Sequence, residues 1–201
     1  MLIKSSLLRT VGRAVLVDRG FEVRVKPGQG YLPGSRLVAK KNGKQTIVAV
    51  KASKERALSF TRQPNGKWRT LHVAGLVLAV VPAEDNEEEV EVLAFKRDTL
   101  VAAFDRAWKV LQEEERSLSF NIPVFVPLDA VGRKNVGHDV GNLKKQSIWP
   151  SVRLTLEQAR AKSMSIARTD ESYIDSFIRR YAKENNLDEH QVFIGVRGRG
   201  K

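Results

Sequence analysis

Apolar residues near the start of the chain recur every three or four positions, which predicts an amphipathic helix over residues 5–19. Its apolar face consists of Leu7, Leu8, Val11, Ala14 and Val15. Gly20 follows where a helix commonly ends, and Phe21, Val23 and Val25 then alternate as in a strand. The chain is therefore expected to begin with a helix packed on a sheet.

Strand patterns dominate the next 75 residues. Asn42-Gly43 lies between apolar runs at 36–41 and 45–51, and Asn-Gly in that setting favours a two-residue hairpin. A second such turn, Asn65-Gly66, is predicted to join strands 57–62 and 67–71. The uninterrupted apolar run 76–81 is typical of a central buried strand, and 90–95 is expected to pair with it.

The second half alternates helical and irregular stretches. We predict a helix over 99–115, a strand over 122–128 and a long polar loop over 130–150. Thr155 and Gln158 have capping-box spacing, and Asp170 is expected to start a further helix before a short strand at 192–196. The pattern predicts an α+β (or α/β) fold with a central mixed sheet, flanked by an N-terminal and a middle helix. The expected organisation is a basic core (1–116), a loop-rich connection (117–153) and a helical extension (154–201).

Charge narrows the class of partner. The chain carries 35 Lys and Arg against 23 Asp and Glu, a net charge of +12, which favours a polyanion such as nucleic acid. Residues 1–80 hold 16 basic and 3 acidic side chains, whereas 81–120 hold 5 and 11. The acidic runs at 84–91 and 113–115 are interpreted as a solvated turn and helix face, or alternatively as a barrier that orients the basic surface.

The sequence contains few residues or motifs that would indicate a catalytic site or a metal site. The chain has no Cys, which excludes thiolate sites and disulfides, and its three His disfavour a metal site built from several His. The glycines 28, 30 and 34 lack the spacing of a nucleotide fingerprint. His138-Asp139 is better explained as a surface pair than as an acid–base dyad. No catalytic residue, metal or cofactor is predicted.

Basic residues alternate with aromatic residues on the predicted hairpins, and this is the strongest indication of a binding site in the sequence. A two-stranded ribbon fits the DNA major groove, and its lysines would reach phosphates. Trp68 alternates with Lys67 and Arg69 and so points the other way, as a core anchor or, alternatively, as a stacking platform for a base. The loop 132–149 and the C-terminal tail supply further cations. The candidate nucleic-acid-binding residues are Lys40, Lys41, Lys44, Lys51, Lys54, Arg56, Arg62, Lys67, Arg69, Arg133, Lys134, Lys144, Lys145, Arg197 and Arg199.

Residues 5–81 resemble the core of the restriction-endonuclease-like superfamily, the PD-(D/E)xK nucleases, in the order helix, strand, hairpin and central apolar strand. Ser35, within Pro33-Gly34-Ser35-Arg36, stands where the family has a metal-binding Asp. Ala49-Val50-Lys51 stands where it has (D/E)xK. The resemblance implies a DNA-associated fold. Because Mg²⁺ needs carboxylates that Ser35 and Ala49 do not supply, and Glu22 is the nearest acid, it also implies a degenerate active site.

These observations predict a non-catalytic DNA-binding protein of bacterial type, cytoplasmic and nucleoid-associated. It would engage duplex DNA in preference to RNA, without a membrane partner, and a homodimer is compatible with the sequence. Two alternatives stay open. One is a divergent metal-dependent nuclease, and the other is an RNA-binding or ribosome-associated factor.

Overall fold

A six-stranded mixed sheet lies at the centre of the computed structural model, which describes residues 5–24, 36–86, 88–113, 120–129 and 143–186. The helices are α1 (Ser5–Asp18), α2 (Arg97–Glu113) and α3 (Leu156–Asn185). The strands are β1 (Glu22–Arg24), β2 (Arg36–Lys41), β3 (Lys44–Ala52), β4 (Ala57–Thr61), β5 (Leu76–Pro82), β6 (Glu89–Lys96), β7 (Pro123–Pro127) and β8 (Val152–Thr155). The predicted α+β class is confirmed.

The main sheet has the order β1-β2-β3-β5-β6-β8, and β4 pairs with β7 in a separate antiparallel sheet. Within the main sheet β3 and β5 run parallel, and the other neighbours are antiparallel. The apolar run predicted as a central strand is β5, which is buried along its length up to Val81 because both of its faces are covered. Its predicted partner is β6.

The Asn42-Gly43 hairpin is confirmed, with φ angles of 49° and 77° that suit Asn and Gly. The second predicted hairpin forms only beside its turn, and the predicted strand at 67–71 is absent from this described part of the chain. The turn at Gly66 forms, but a single bridge, Arg62 to Trp68, replaces the strand pairing. Instead β4 pairs with β7, which lets Leu58, Phe60 and their partners on β7 bury apolar surface together.

Two hydrophobic cores lie on opposite faces of the main sheet. On one face α1 packs against β3 and β5, and Gly12 allows the close approach, since a Cβ there would lie 2.7 Å from Val50 Cγ1. On the other face α2, β4 and β7 cover β5 and β6 around Phe60, Phe95 and Phe104. The sheet therefore has an α1 side and an α2 side.

The C-terminal half corrects the prediction in two places. Strand β8, for which no strand is predicted from the sequence, pairs with β6. The two helices expected after Thr155 form one continuous helix, α3, whose predicted capping box is confirmed by reciprocal hydrogen bonds between Thr155 and Gln158. Residues 143–146 form a 3₁₀ helix within the predicted 130–150 loop. The predicted strand at 192–196 and residues 130–142 lie outside the described residues.

The chain separates into two compact units, residues 1–162 and 163–201. The first contains both sheets, so the predicted boundary at 116/117 falls inside it. Within the described ranges, no helix combines the length and apolar character needed to cross a membrane.

Candidate nucleic-acid interface

The tip of the β2–β3 hairpin carries three of the predicted lysines. Lys40 and Lys44 are exposed and form no ion pair with a described carboxylate. Glu22 stands opposite Lys40 in the strand register. Lys41 is engaged locally, because its Nζ donates a hydrogen bond to the Arg19 carbonyl (2.7 Å) and lies 5.1 Å from the Phe21 ring centroid. The hairpin therefore presents Lys40 and Lys44, while Lys41 ties it to the segment after α1.

A sheet surface on the α2 side runs from this tip toward the end of β3. Because side chains alternate along a strand, Val38, Lys40, Gln45, Ile47 and Lys51 share the face of Ala49, which belongs to the α2-side core. Helix α2 itself packs over β6 and β7, beyond β5. Lys40 and Gln45 are exposed, and Val38 and Ile47 are half-buried. We call these five residues the open face.

Lys51 is the residue of the open face that lies farthest from the hairpin tip. Its Nζ lies 4.6 Å from the centroid of the Phe60 ring. Gln45 is the register partner of Lys40, and Lys51 lies six positions further along β3. In an extended strand this separation of Gln45 and Lys51 corresponds to about 20 Å. Lys54, just beyond β3, is exposed. The open face and the hairpin thus form a strip with Lys40 at one end and Lys51 at the other, and Lys44 lies at the tip on the opposite face of the ribbon.

The other predicted cations occupy different surroundings. Lys67 and Arg69 are exposed near the turn after β4, and Lys145 is exposed on the 3₁₀ helix. Arg62 pairs with Asp105, whereas Arg56 and Lys144 join a buried ion network. Arg133, Lys134, Arg197 and Arg199 lie outside the described residues. The fold therefore does not gather the predicted set into a single patch.

The ion network centres on Glu91 of β6, whose side chain is 0% exposed. Arg56 Nη1 lies 2.9 Å from one Glu91 oxygen, and Lys144 Nζ lies 3.4 Å from the other. Arg56 also donates two hydrogen bonds to Asp129 (2.7 and 3.0 Å) and one to the Pro82 carbonyl. Its φ of 34° is unusual for a bulky residue, and these contacts hold it there. Arg56 and Lys144 are thus held by internal carboxylates.

The pKa shifts agree with this geometry. Burial by itself lowers the pKa of Arg56, but its hydrogen bonds to Asp129 and Glu91 outweigh that effect and raise the pKa. Lys144 behaves likewise, since the hydrogen bond to Glu84 and the charge of Glu91 raise its pKa despite burial. At the nearby turn, the hydrogen bond from Arg153 lowers the pKa of Asp85. Because of these shifts, Arg56, Lys144 and Asp85 stay charged at neutral pH.

An aromatic groove lies at the other end of the α2 side. The Arg62 guanidinium lies over both Trp68 and Trp108, at 5.4 and 5.1 Å from their ring centroids. Trp108 stacks on Phe120, with centroids 5.8 Å apart and an interplanar angle of 23°. Trp68 is only 3% exposed and its Nε1 donates to Asp105, so its interpretation as a core anchor holds and an exposed Trp68 platform is wrong.

The positions of the nuclease-like motif are spread out. Ala49 is fully buried, Glu22 lies on the outermost strand β1, and Lys51 contacts Phe60. Ser35 lies outside the described residues. Among the described residues, no three His, Cys, Asp or Glu side chains group closely enough to hold a metal ion. Comparison with known proteins identifies no relative: no protein-family model, curated protein or solved structure matches the chain.

Sequence reasoning missed the acidic partners. Glu91 was grouped with a solvated turn, yet it alternates with Val90 and Val92 on a buried strand, and that alternation was the available signal. The pairing of Asp105 with Arg62 and Trp68 depends on the packing of α2 against the turn after β4, for which the sequence carries no local signal.

Proposed function

We propose that the protein is a non-catalytic DNA-binding protein that contacts the phosphate backbone through the β2–β3 hairpin and the open face. The distribution of ion pairs carries this proposal. Carboxylates of the β5–β6 region are matched by internal cations: Glu84 and Glu91 by Lys144, and Asp85 by Arg153. Lys40, Lys44 and Lys54 have no such match among the described carboxylates. The strip therefore carries cations that no described carboxylate pairs with, as do the separate exposed positions Lys67, Arg69 and Lys145.

Shape supports the same proposal. A strip of about 20 Å corresponds to roughly six base pairs, because phosphates on one strand are spaced about 3.4 Å along the helix axis. A two-stranded ribbon enters a major groove about 12 Å wide, with lysines beside its turn near the phosphates on either side. Lysines without fixed carboxylate partners need to break no ion pair in order to bind.

The element order α1, β1, β2–β3 and β5 is compatible with the proposed resemblance to restriction-endonuclease-like cores. The proposal stops at binding, because Ala49 lies where a metal-binding carboxylate is required and is buried in the core. Lys51 remains as a cation that would favour a nearby phosphate.

Charge reversal at the hairpin tests the proposal. In Lys40→Glu/Lys44→Glu, affinity for a short duplex should fall, and the slope of log affinity against log salt should decrease by about 1.8, because each phosphate contact contributes about 0.9. Fluorescence anisotropy across a salt series measures both quantities. The variant should fold normally, since exposed turn lysines contribute little to stability.

Lys96→Glu/Arg160→Glu is the matched control, because both residues are exposed on other elements and the change in net charge is the same. It should retain most of the affinity and nearly the full salt slope. Equal losses in the two variants would show that total charge, rather than the hairpin, governs binding. Duplex RNA at matched salt provides the competitor, and stronger binding of RNA than of DNA would favour the RNA-binding alternative.

A further inference from the structure

The groove beside Trp108 is a second surface with the chemistry of nucleic-acid binding. The volume of this open groove is about 370 Å³, within the usual range of small-ligand sites of roughly 300–1,000 Å³. Its described lining consists of Arg62, Pro64, Gly66, Asp105, Trp108, Lys109, Gln112 and Phe120. Aromatic, cationic and amide groups therefore meet in one open depression.

The flat groups of this groove are held in place before any ligand arrives. Arg62 lies over two indole rings while its guanidinium pairs with Asp105 at 3.2 Å. The same Asp105 oxygen accepts a hydrogen bond from Trp68 at 3.0 Å. Because these contacts restrict Trp108 and Arg62, a ring that docks here loses little free energy to reorganisation of the site.

Phe120 gives the groove an accessible aromatic surface. Its ring continues the Arg62–Trp108 stack and is 46% exposed, although a phenyl group is normally buried where the fold permits. The polar atoms of Gln112 and Asp105 lie on the same lining. Such groups supply hydrogen bonds to the edge of a planar heterocycle, while the aromatic surface supplies stacking.

Charge identifies the chemistry of the ligand that carries the ring. Lys109 lines the groove and is exposed, with its Nζ 3.6 Å from Glu113 in a surface ion pair, and Lys67 is exposed directly after Gly66 of the lining. A phosphate attached to the stacked ring would thus meet cations, whereas an aromatic side chain of a partner protein would gain nothing from them. Aromatic stacking beside cations is the usual combination for single-stranded nucleic acid.

We propose that this groove binds an unpaired base of a nucleic-acid strand, with the ring stacked against Phe120 and its phosphate near Lys67 and Lys109. This inference rests on the proposed DNA-binding function and deepens it. Beside the duplex strip, the protein would hold a frayed end, a gap or a single strand.

The first test uses the unaltered protein with two oligomers of equal charge, an oligothymidylate and an abasic deoxyribose-phosphate chain of the same length. Stacking of one base is expected to strengthen binding by roughly 5- to 150-fold, which follows from about 1–3 kcal/mol per base. Binding of the thymidylate should also quench tryptophan fluorescence. Equal affinity for the two oligomers would overturn the inference.

Variants locate the effect. Phe120→Leu should abolish the preference for thymidylate over the abasic chain, and Phe120→Trp should restore it, because a leucine side chain cannot stack. Phe125→Leu is the matched control, since Phe125 is 51% exposed on β7 and lies outside the groove lining, and it should behave as the unaltered protein. An equal loss in Phe125→Leu would refute the assignment to the groove.

Duplex binding separates the two proposals. If Phe120→Leu loses the base preference while duplex affinity is retained, both proposals are supported. Duplex binding without a base preference in the unaltered protein overturns the groove inference alone. Absence of binding to duplex and to single strands at low salt overturns the proposed function together with this inference.

Discussion

Replacing Arg56 with Met tests whether the buried ion network holds the fold together. The substitution retains much of the side-chain length, and it leaves the unusual backbone angle in place, so it mainly removes charge. Glu91 would then remain fully buried with Lys144 at 3.4 Å as its cation. Removing one partner of a buried pair typically costs about 3–5 kcal/mol, because the remaining charge stays desolvated.

Lys144 offsets part of this loss, so we expect the lower end, about 3 kcal/mol. In a unit of this size, each kcal/mol of lost stability lowers Tm by about 2–4 °C, so the expected decrease in Tm is roughly 6–12 °C. Urea and thermal denaturation at neutral pH, followed by circular dichroism, measure both quantities. The double variant Arg56→Met/Glu91→Leu should recover part of the loss, because it removes the buried charge of Glu91, whereas Asp129, 17% exposed, still lacks the hydrogen bonds from Arg56.

Lys54→Met is the matched control. Lys54 is an exposed lysine close by, and its replacement should change stability by no more than about 0.5 kcal/mol. A loss in Arg56→Met no greater than in this control, or a double variant no more stable than the single one, would refute the reasoning. Arg56 would then be available for phosphate, and weakened DNA binding in the stable single variant would show it.

Three further outcomes follow from the same structure. Gly12→Ala should destabilise the protein by about 1 kcal/mol in urea titration, because overpacking at the 2.7 Å contact with Val50 outweighs the helix propensity gained by Ala; a stabilised variant would contradict this. The pKa of Lys144 is raised in the folded protein. Its contribution to the free energy of unfolding is therefore complete at a pH below the ordinary lysine pKa, and it is lost as the pH rises through the raised pKa. Lys144→Met should therefore flatten the fall in stability between about pH 9 and 12, and the exposed Lys145→Met should not. With Mg²⁺ or Mn²⁺ the protein should leave plasmid and single-stranded DNA uncut, and Glu22→Gln should bind DNA normally; cleavage lost in Glu22→Gln or Lys51→Ala would revive the nuclease alternative.

Local signals in the sequence determined several elements directly. Asn42-Gly43 defines its hairpin because the two residues adopt the required positive φ angles at little cost. The Thr155–Gln158 capping box and the apolar run of β5 were equally readable, as was the helical periodicity of α1 and α2. For the candidate site, the hairpin lysines were identified from the sequence together with their turn.

Tertiary structure decided which distant segments meet. The pairing of β4 with β7 and the addition of β8 to β6 depend on which apolar surfaces are buried together, and no short segment encodes that choice. Charge shows the same division. Composition determined the excess of cations, but only packing placed Glu91 between Arg56 and Lys144 and left Lys40 and Lys44 exposed. A charged side chain is identified by the sequence, whereas its partner and its access to solvent depend on residues brought near it by the fold.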